Sequence, residues 1–109
     1  MRKYRNIKVG KYDSKKEKNR ADLLKILEKQ GEISHLKEQV KFELIPSQYE
    51  VIKNKKRCVE KSCSYIADFT YCDIHGNFIV EDTKGVRTEV YKIKKKLMLQ
   101  VHGIRIKEV

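Results

Sequence analysis

Residues 64–84 read SYIADFTYCDIHGNFIVEDTK, and the pairing they imply decides how this chain folds. Two runs rich in Tyr, Ile, Phe and Val, 64–72 and 77–84, flank the turn signal Asp73-Ile74-His75-Gly76, so the stretch is expected to form a β-hairpin. A three-residue loop with Gly76 in the left-handed position pairs Asp73 with Asn77, and the register then sets 72 opposite 78, 70 opposite 80 and 68 opposite 82. Alternation puts Phe78, Val80, Asp82 and Lys84 on one face and Ile79, Glu81 and Thr83 on the other. Asp68 and Asp82 therefore meet, with Lys84 beside them. Opposed Cβ atoms lie roughly 4.5 to 5.5 Å apart, where like charges destabilise, so the pair calls for a cation between them. Lys84 supplies one positive charge, and hard divalent ions such as Mg²⁺ are the usual partners of clustered oxygens.

The flanking sequence supplies the rest of an α/β domain. Ser14-Lys15-Lys16-Glu17 has the form of a capping box and Gly31 stands where a helix ends, which predicts a helix over about 15–30. Ala21, Leu24 and Leu27 recur at helical spacing, with Glu17 on the same stripe. Apolar Ile66, Phe78 and Val80 suggest that a helix covers the Asp82 face, and the Glu17 stripe would bring a third carboxylate to it. Val40, Phe42 and Leu44 alternate with charged residues in a strand over 39–45 that Pro46 limits. Residues 47–61 lack a clear period and read as a long basic loop running into a strand. Thr88 caps a second helix with the stripe Val90, Ile93, Leu97 and Val101, Gly103 ends it, and 104–109 close as a strand. The expected order is α-β-β-β-α-β in a mixed sheet with flanking helices, the last strand arriving parallel through a right-handed crossover.

At 109 residues, 39% apolar and 38% charged, the chain is one domain with a small core. Its net charge of +11 favours a polyanionic partner, since Lys and Arg displace condensed counterions from phosphates. No apolar run reaches the ~18 residues of a membrane helix, and the basic start MRKYRNIKVGKY lacks the apolar core of a signal peptide, so the expected compartment is the cytoplasm. Residues 1–12, with Arg2, Lys3, Arg5, Lys8 and Lys11, read as a basic N-terminal arm or short edge strand. Lys92, Lys95 and Lys96 share one helix face, and Lys53, Lys55, Lys56 and Arg57 form a second cluster; both are candidate phosphate contacts, although such runs are often only solvated faces.

Plainer readings compete at each site residue. Glu17 is fully explained as the third residue of a capping box, and Asp68 and Asp82 would also suit a solvated hairpin end paired with Lys84. Cys58, Cys63, Cys72 and His75 raise the question of zinc. On one strand, however, Cys63 and Cys72 face opposite sides about 30 Å apart, too far for one tetrahedral ion, so the cysteines read as small apolar residues.

Asp68 ahead of Asp82-Thr83-Lys84, an acidic residue in the first helix and the element order resemble the PD-(D/E)XK nuclease superfamily with its restriction-endonuclease-like core. More closely, SKKEKNR, FELIP, YIADFTY, VEDTKG and TEVYKIKKKL are similar to a family of small phage-encoded proteins placed in that superfamily and related to Holliday-junction resolvases, over about residues 10–109. Ala67 stands where the motif is named for proline, and Asp82 where many members carry glutamate; neither changes the ligand chemistry. The resemblance implies a Mg²⁺- or Mn²⁺-dependent endonuclease hydrolysing DNA, including branched or recombination DNA of a phage, in the cytoplasm of a bacterial host. It implies Asp68 and Asp82 as metal ligands, Glu17 as a further direct or water-mediated ligand, and Lys84 as the group that positions or activates water. Related resolvases act as dimers, which makes a homodimer the expected assembly for symmetric cutting, with no interface legible in the sequence. Two alternatives stay open: a basic nucleic-acid-binding module that keeps this fold without catalysis, and a zinc-bearing adaptor.

Overall fold

Ser14 starts the first helix by accepting a hydrogen bond from the Glu17 amide at 3.1 Å, and α1 runs Lys15–Lys29. The computed structural model describes Tyr12 and residues 14–109; apart from Tyr12, the basic arm expected at about 1–12 lies outside the described residues. On α1 the buried residues are Glu17, Ala21 and Leu24, with Leu27 packed at their margin, the stripe expected from the sequence.

Seven further elements follow: β1 (Ile33–Ile45), β2 (Gln48–Ile52), β3 (Lys55–Glu60), β4 (Cys63–Asp73), β5 (Phe78–Asp82), α2 (Glu89–His102) and β6 (Lys107–Glu108). The main sheet has the order β1-β4-β5-β6, antiparallel except for the parallel pair β5–β6, so the fold is α/β with a mixed sheet. The hairpin register is the expected one, with Cys72 opposite Phe78 and Thr70 opposite Val80. Its loop is held by the Asp73 carboxylate, which accepts from the amides of His75 (2.9 Å) and Asn77 (2.8 Å), while Gly76 takes φ 82°, a backbone that side-chain-bearing residues rarely adopt.

Residues 47–61 are not the expected loop. They form a separate two-stranded ribbon, β2–β3, turned through Lys53 and Asn54 at φ 51° and 63°, the paired left-handed conformation of a tight hairpin. Every residue of both strands is exposed, so the ribbon stands out from the body carrying Lys53, Lys55, Lys56 and Arg57 at and beside its tip. The first strand of the main sheet also starts earlier than expected. Its irregularities, His35 (φ 56°) at a register shift and Gln39 (φ 55°), break the alternation that would have announced it.

Each helix covers its own cluster. Against α1 lie Tyr12, Ile33, Phe69 and Tyr71 with Ile79 at the margin; with α2 go Leu44, Tyr65, Ala67, Val80 and Ile106. Along β4 the buried residues thus pass from one cluster to the other at Asp68, which falls opposite Gln39 between the pairs Glu38–Phe69 and Val40–Ala67. Two expectations fail here. The first helix packs on the Phe69, Tyr71 and Ile79 side, leaving Ile66 and Phe78 exposed, and the second buries Tyr91 and Met98 rather than Val90, Ile93 and Val101, which stay exposed. Large Tyr and Met side chains one helical step away fill the space over the sheet, so the aliphatic stripe was a weaker guide than shape.

Two charged clamps tie the helices down. Arg20 on α1 grips the fully buried Glu81 on β5 with two bonds (2.8 and 2.6 Å), and the Tyr71 hydroxyl donates to the same carboxylate. Glu108 on β6 accepts from Arg87 (2.9 Å) and the Tyr91 hydroxyl (2.7 Å), and Arg87 in the first place holds its carboxyl down at about 2. Removing one partner of a buried ion pair strands the other charge. Arg20→Ala should therefore lower stability by about 3 kcal/mol in urea denaturation, whereas replacing Arg20 and Glu81 together by Met and Leu should recover most of the loss. A single-variant loss below about 0.5 kcal/mol would show that the clamp holds nothing.

Candidate functional site

The carboxylate pair forms where β5 ends beside the middle of β4. Asp82 is the last residue of β5 and only 2% exposed, and Asp68, opposite it in the hairpin register, lines the same hollow. Lys84, just past the strand, puts its ammonium 3.3 Å from Asp82 Oδ2 and 4.4 Å from the centre of the Tyr91 ring. Together with Glu17 these residues line one hollow of about 330 Å³, walled further by Ser14, Lys16, Thr83, Gly85 and Thr88. All four predicted site residues, Glu17, Asp68, Asp82 and Lys84, are thus brought together around a single opening. It lies between the starts of both helices, since Ser14 caps α1 and Thr88 caps α2.

Each carboxylate is held by a different partner. Asp68 Oδ2 accepts from the Thr83 amide (2.9 Å) and hydroxyl (2.8 Å). Thr83 was expected on the opposite face, but it lies beyond the end of β5, where strand alternation no longer applies. Asp82 Oδ2 accepts from the Tyr65 hydroxyl at 2.6 Å, and Glu17 Oε1 accepts from Gln39 Nε2 at 3.0 Å. Tyr65, Gln39 and Thr83 were missed in the sequence because each reaches the site through tertiary geometry. Only the position of Gln39 opposite Asp68, legible once the β1–β4 register is known, would have pointed to it.

Burial is the largest influence on Asp82 and raises its pKa from the ordinary 3.8 to about 7; the neighbouring Asp68 carboxyl adds to this, while the Tyr65 bond and Lys84 oppose it. Burial likewise pushes the Tyr65 phenol up, with the Asp82 bond next, so Tyr65 stays a donor. The donor set consists of hard carboxylate oxygens, which fits Mg²⁺ or Mn²⁺ rather than a soft ion. Among the described residues no three His, Cys, Asp or Glu side chains are gathered closely enough to hold an ion on their own. Two carboxylates with the remaining positions filled by water is an arrangement that Mg²⁺ accepts, in which Glu17 would act through water.

The predicted basic residues divide between two places. Lys92, Lys95 and Lys96 line a separate hollow along α2 with Arg87 and Arg105; Lys92 pairs with Glu89 at 3.1 Å and Lys95 with Glu108 at 3.3 Å. Lys53, Lys55, Lys56 and Arg57 stand on the exposed ribbon, where Lys56 sits 4.2 Å over the Tyr49 ring. Among the described residues the cations lining the carboxylate hollow are instead Lys16 and Lys84, the Lys16 ammonium reaching the Lys84 carbonyl at 3.4 Å. The three cysteines are free thiols; Cys63 packs at the margin of the α2 cluster and Cys58 is exposed on β3, so only the first behaves as the small apolar residue expected.

The raised Asp82 has a consequence for stability. A carboxyl whose pKa rises on folding stabilises the protein fully below its unfolded value and loses that contribution as pH climbs through the folded one. Metal-free protein should therefore lose stability between about pH 4 and pH 7. Asp82→Asn should flatten this part of the profile and melt above wild type at pH 8. At this chain length each 1 kcal/mol moves Tm by about 4–8 °C, well within calorimetric reach. A wild-type Tm rising over that pH range, or an Asn variant melting lower at pH 8, would contradict the assignment.

No curated protein and no solved structure matches the chain. A family model does match over residues 1–107, nearly the whole chain, and so places it: the chain belongs to the family described as a protein of unknown function, DUF1064.

Proposed function

We propose that this protein is a divalent-metal-dependent endodeoxyribonuclease on a restriction-endonuclease-like core, hydrolysing phosphodiester bonds of DNA, with branched or recombination DNA of a phage as the substrate class the sequence resemblance favours. The observation that carries the reading is the meeting of Asp68 and Asp82 from adjacent strands, with the Lys84 ammonium 3.3 Å from Asp82 and Glu17 in the same hollow. A structural ion cluster would balance its charges, as Arg20 balances Glu81. Among the described residues the two carboxyls share one close cation, Lys84, and the excess of negative charge is what a bound cation would offset.

Asp68 and Asp82 would hold Mg²⁺ or Mn²⁺, Glu17 joining through water. Bound there, such an ion neutralises charge developing on the phosphate and lowers the pKa of its water. The chain's own residues do the remaining work. Tyr65 and Thr83 fix the two carboxylates from behind, and Gln39 fixes Glu17. Lys84, held between Asp82 and the face of Tyr91, is aimed to position a water or meet a phosphate oxygen. Lys16 and the amino-terminal ends of both helices give the opening a positive rim around its acidic centre, which suits an approaching phosphate. The exposed ribbon with its four cations adds a grip away from the cut, consistent with the net charge of +11. That same ribbon favours DNA binding even without cleavage, which is the second reading: a non-catalytic module on this fold.

A panel of linear, nicked, flapped and four-way DNAs in Mg²⁺ and Mn²⁺ separates the two. The enzyme should cut at least one substrate, and Asp82→Ala or Lys84→Ala should slow cutting by about 10²-fold or more while salt-sensitive binding persists. Binding without cutting on every substrate leaves only the module. Replacing Lys53, Lys55, Lys56 and Arg57 by Ala should flatten the dependence of log K on log salt by about 0.9 for each cation that meets a duplex phosphate. An unchanged slope would remove the ribbon from the interface.

A further inference from the structure

Beside the carboxylate opening lies a second hollow of about 330 Å³ that shares Lys84 and Thr88 with it. Its character is different. Ile66 is 54% exposed and Val90 61% exposed, so two aliphatic side chains stand in water on its walls, with the rings of Tyr65 and Tyr91 beneath and Lys94 at the side. No carboxylate lines it, whereas the hollow along α2 contains Glu89 and has two of its three lysines, Lys92 and Lys95, drawn into pairs with Glu89 and Glu108. Lys94 makes no ion pair among the described residues.

Apolar walls with one or two placed cations are what a ligand that is flat and apolar at one end and anionic at the other requires. A nucleotide has that form. A second copy of this basic chain, or a basic peptide, would meet Lys94 without an offsetting charge. The connection through Lys84 then fixes which nucleotide: the one adjoining the phosphate held at the carboxylates.

We propose that this hollow is the subsite for the nucleotide next to the scissile phosphate, its base resting against Ile66 and Val90 and its own phosphate meeting Lys94, a placement that rests on the phosphodiester reading above. Ser64 and Thr88 supply hydroxyls at the margin, which can donate or accept and so tolerate any base edge. The subsite therefore orders the strand without selecting sequence.

The test uses the full chain carrying Asp82→Asn, which does not cut, with labelled Ile and Val methyl groups, titrated with a short single-stranded oligodeoxynucleotide. The Ile66 and Val90 methyls should be among the most shifted, and adding Lys94→Ala should flatten the salt dependence of log K by about 0.7, the share of one single-strand phosphate contact. In wild-type cutting assays, an abasic residue beside the cut should slow cleavage, and Ile66→Ala with Val90→Ala should cost nothing further on that substrate. Oligonucleotide binding that leaves both methyls unmoved overturns the subsite, as does an unchanged salt slope. If wild type cuts DNA while the two methyls stay silent, the subsite alone falls. If the methyls shift and wild type cuts nothing, the nuclease reading falls and a nucleotide site remains.

Discussion

The register between β4 and β5 is the constraint on which everything else depends. With a side-chain period of two, a slip of one residue would exchange the faces of every side chain in β5. The Asp73 carboxylate prevents that slip by tying the amides of His75 and Asn77, and Gly76 completes the turn. Glu81 and Asp82 are adjacent in sequence, yet this register sends them to opposite environments. Glu81 goes to the α1 side, where Arg20 and the Tyr71 hydroxyl satisfy it completely. Asp82 goes to a site where another carboxyl is waiting. One strand end thus supplies both the anchor that seats the first helix and the unbalanced acid that the anchored helix, through Glu17, approaches.

This coupling explains how Glu17 reaches the site although its helix covers the other side of the hairpin. Arg20 lies three residues after Glu17, so the clamp fixes the start of α1 as well as its middle. Gln39 then takes up the Glu17 carboxylate from β1, in a left-handed backbone that residues other than Gly, Asn and Asp seldom adopt. Such a conformation persists only where its surroundings enforce it, and its position opposite Asp68 places the irregularity at the carboxylates.

Where local chemistry is strong, the sequence could be read directly. The helix start at Ser14, the Glu17 stripe, the hairpin register and the parallel closing strand all follow from residue type and spacing, and with them the meeting of Asp68, Asp82 and Lys84; Glu17 reaches the same hollow by another route than expected, since its helix packs on the Phe69 and Tyr71 side. The ribbon over 48–60 was hidden because Lys53-Asn54 lacks the glycine that usually announces such a turn, and because exposure on both faces removes the apolar alternation. The seat of α2 was misread for a different reason: Val90, Ile93 and Val101 repeat well, but the larger Tyr91 and Met98 are the side chains that pack against the sheet. Tyr65, Thr83 and Gln39 carry no local signal at all, since a tyrosine at one end of a strand meets an aspartate at the end of the next only after the sheet has formed.

A protein with a net charge of +11 that buries an unbalanced carboxyl presents a conflict between attraction at long range and repulsion at contact. The exposed cations would draw in a polyanion, yet the innermost part of the proposed phosphate site is acidic. Two things can resolve this: a proton on Asp82, which its raised pKa makes available near neutrality, or a divalent cation shared between the acids and the phosphate. The first holds the empty site together but leaves no charge to offset that of a phosphate. The second relieves both repulsions at once, so cation and strand must each raise the affinity of the other by the same factor. On the proposed reading, then, the acidic pair makes tight occupancy by DNA conditional on the metal, while the ribbon and the positive rim retain the strand loosely until both are present.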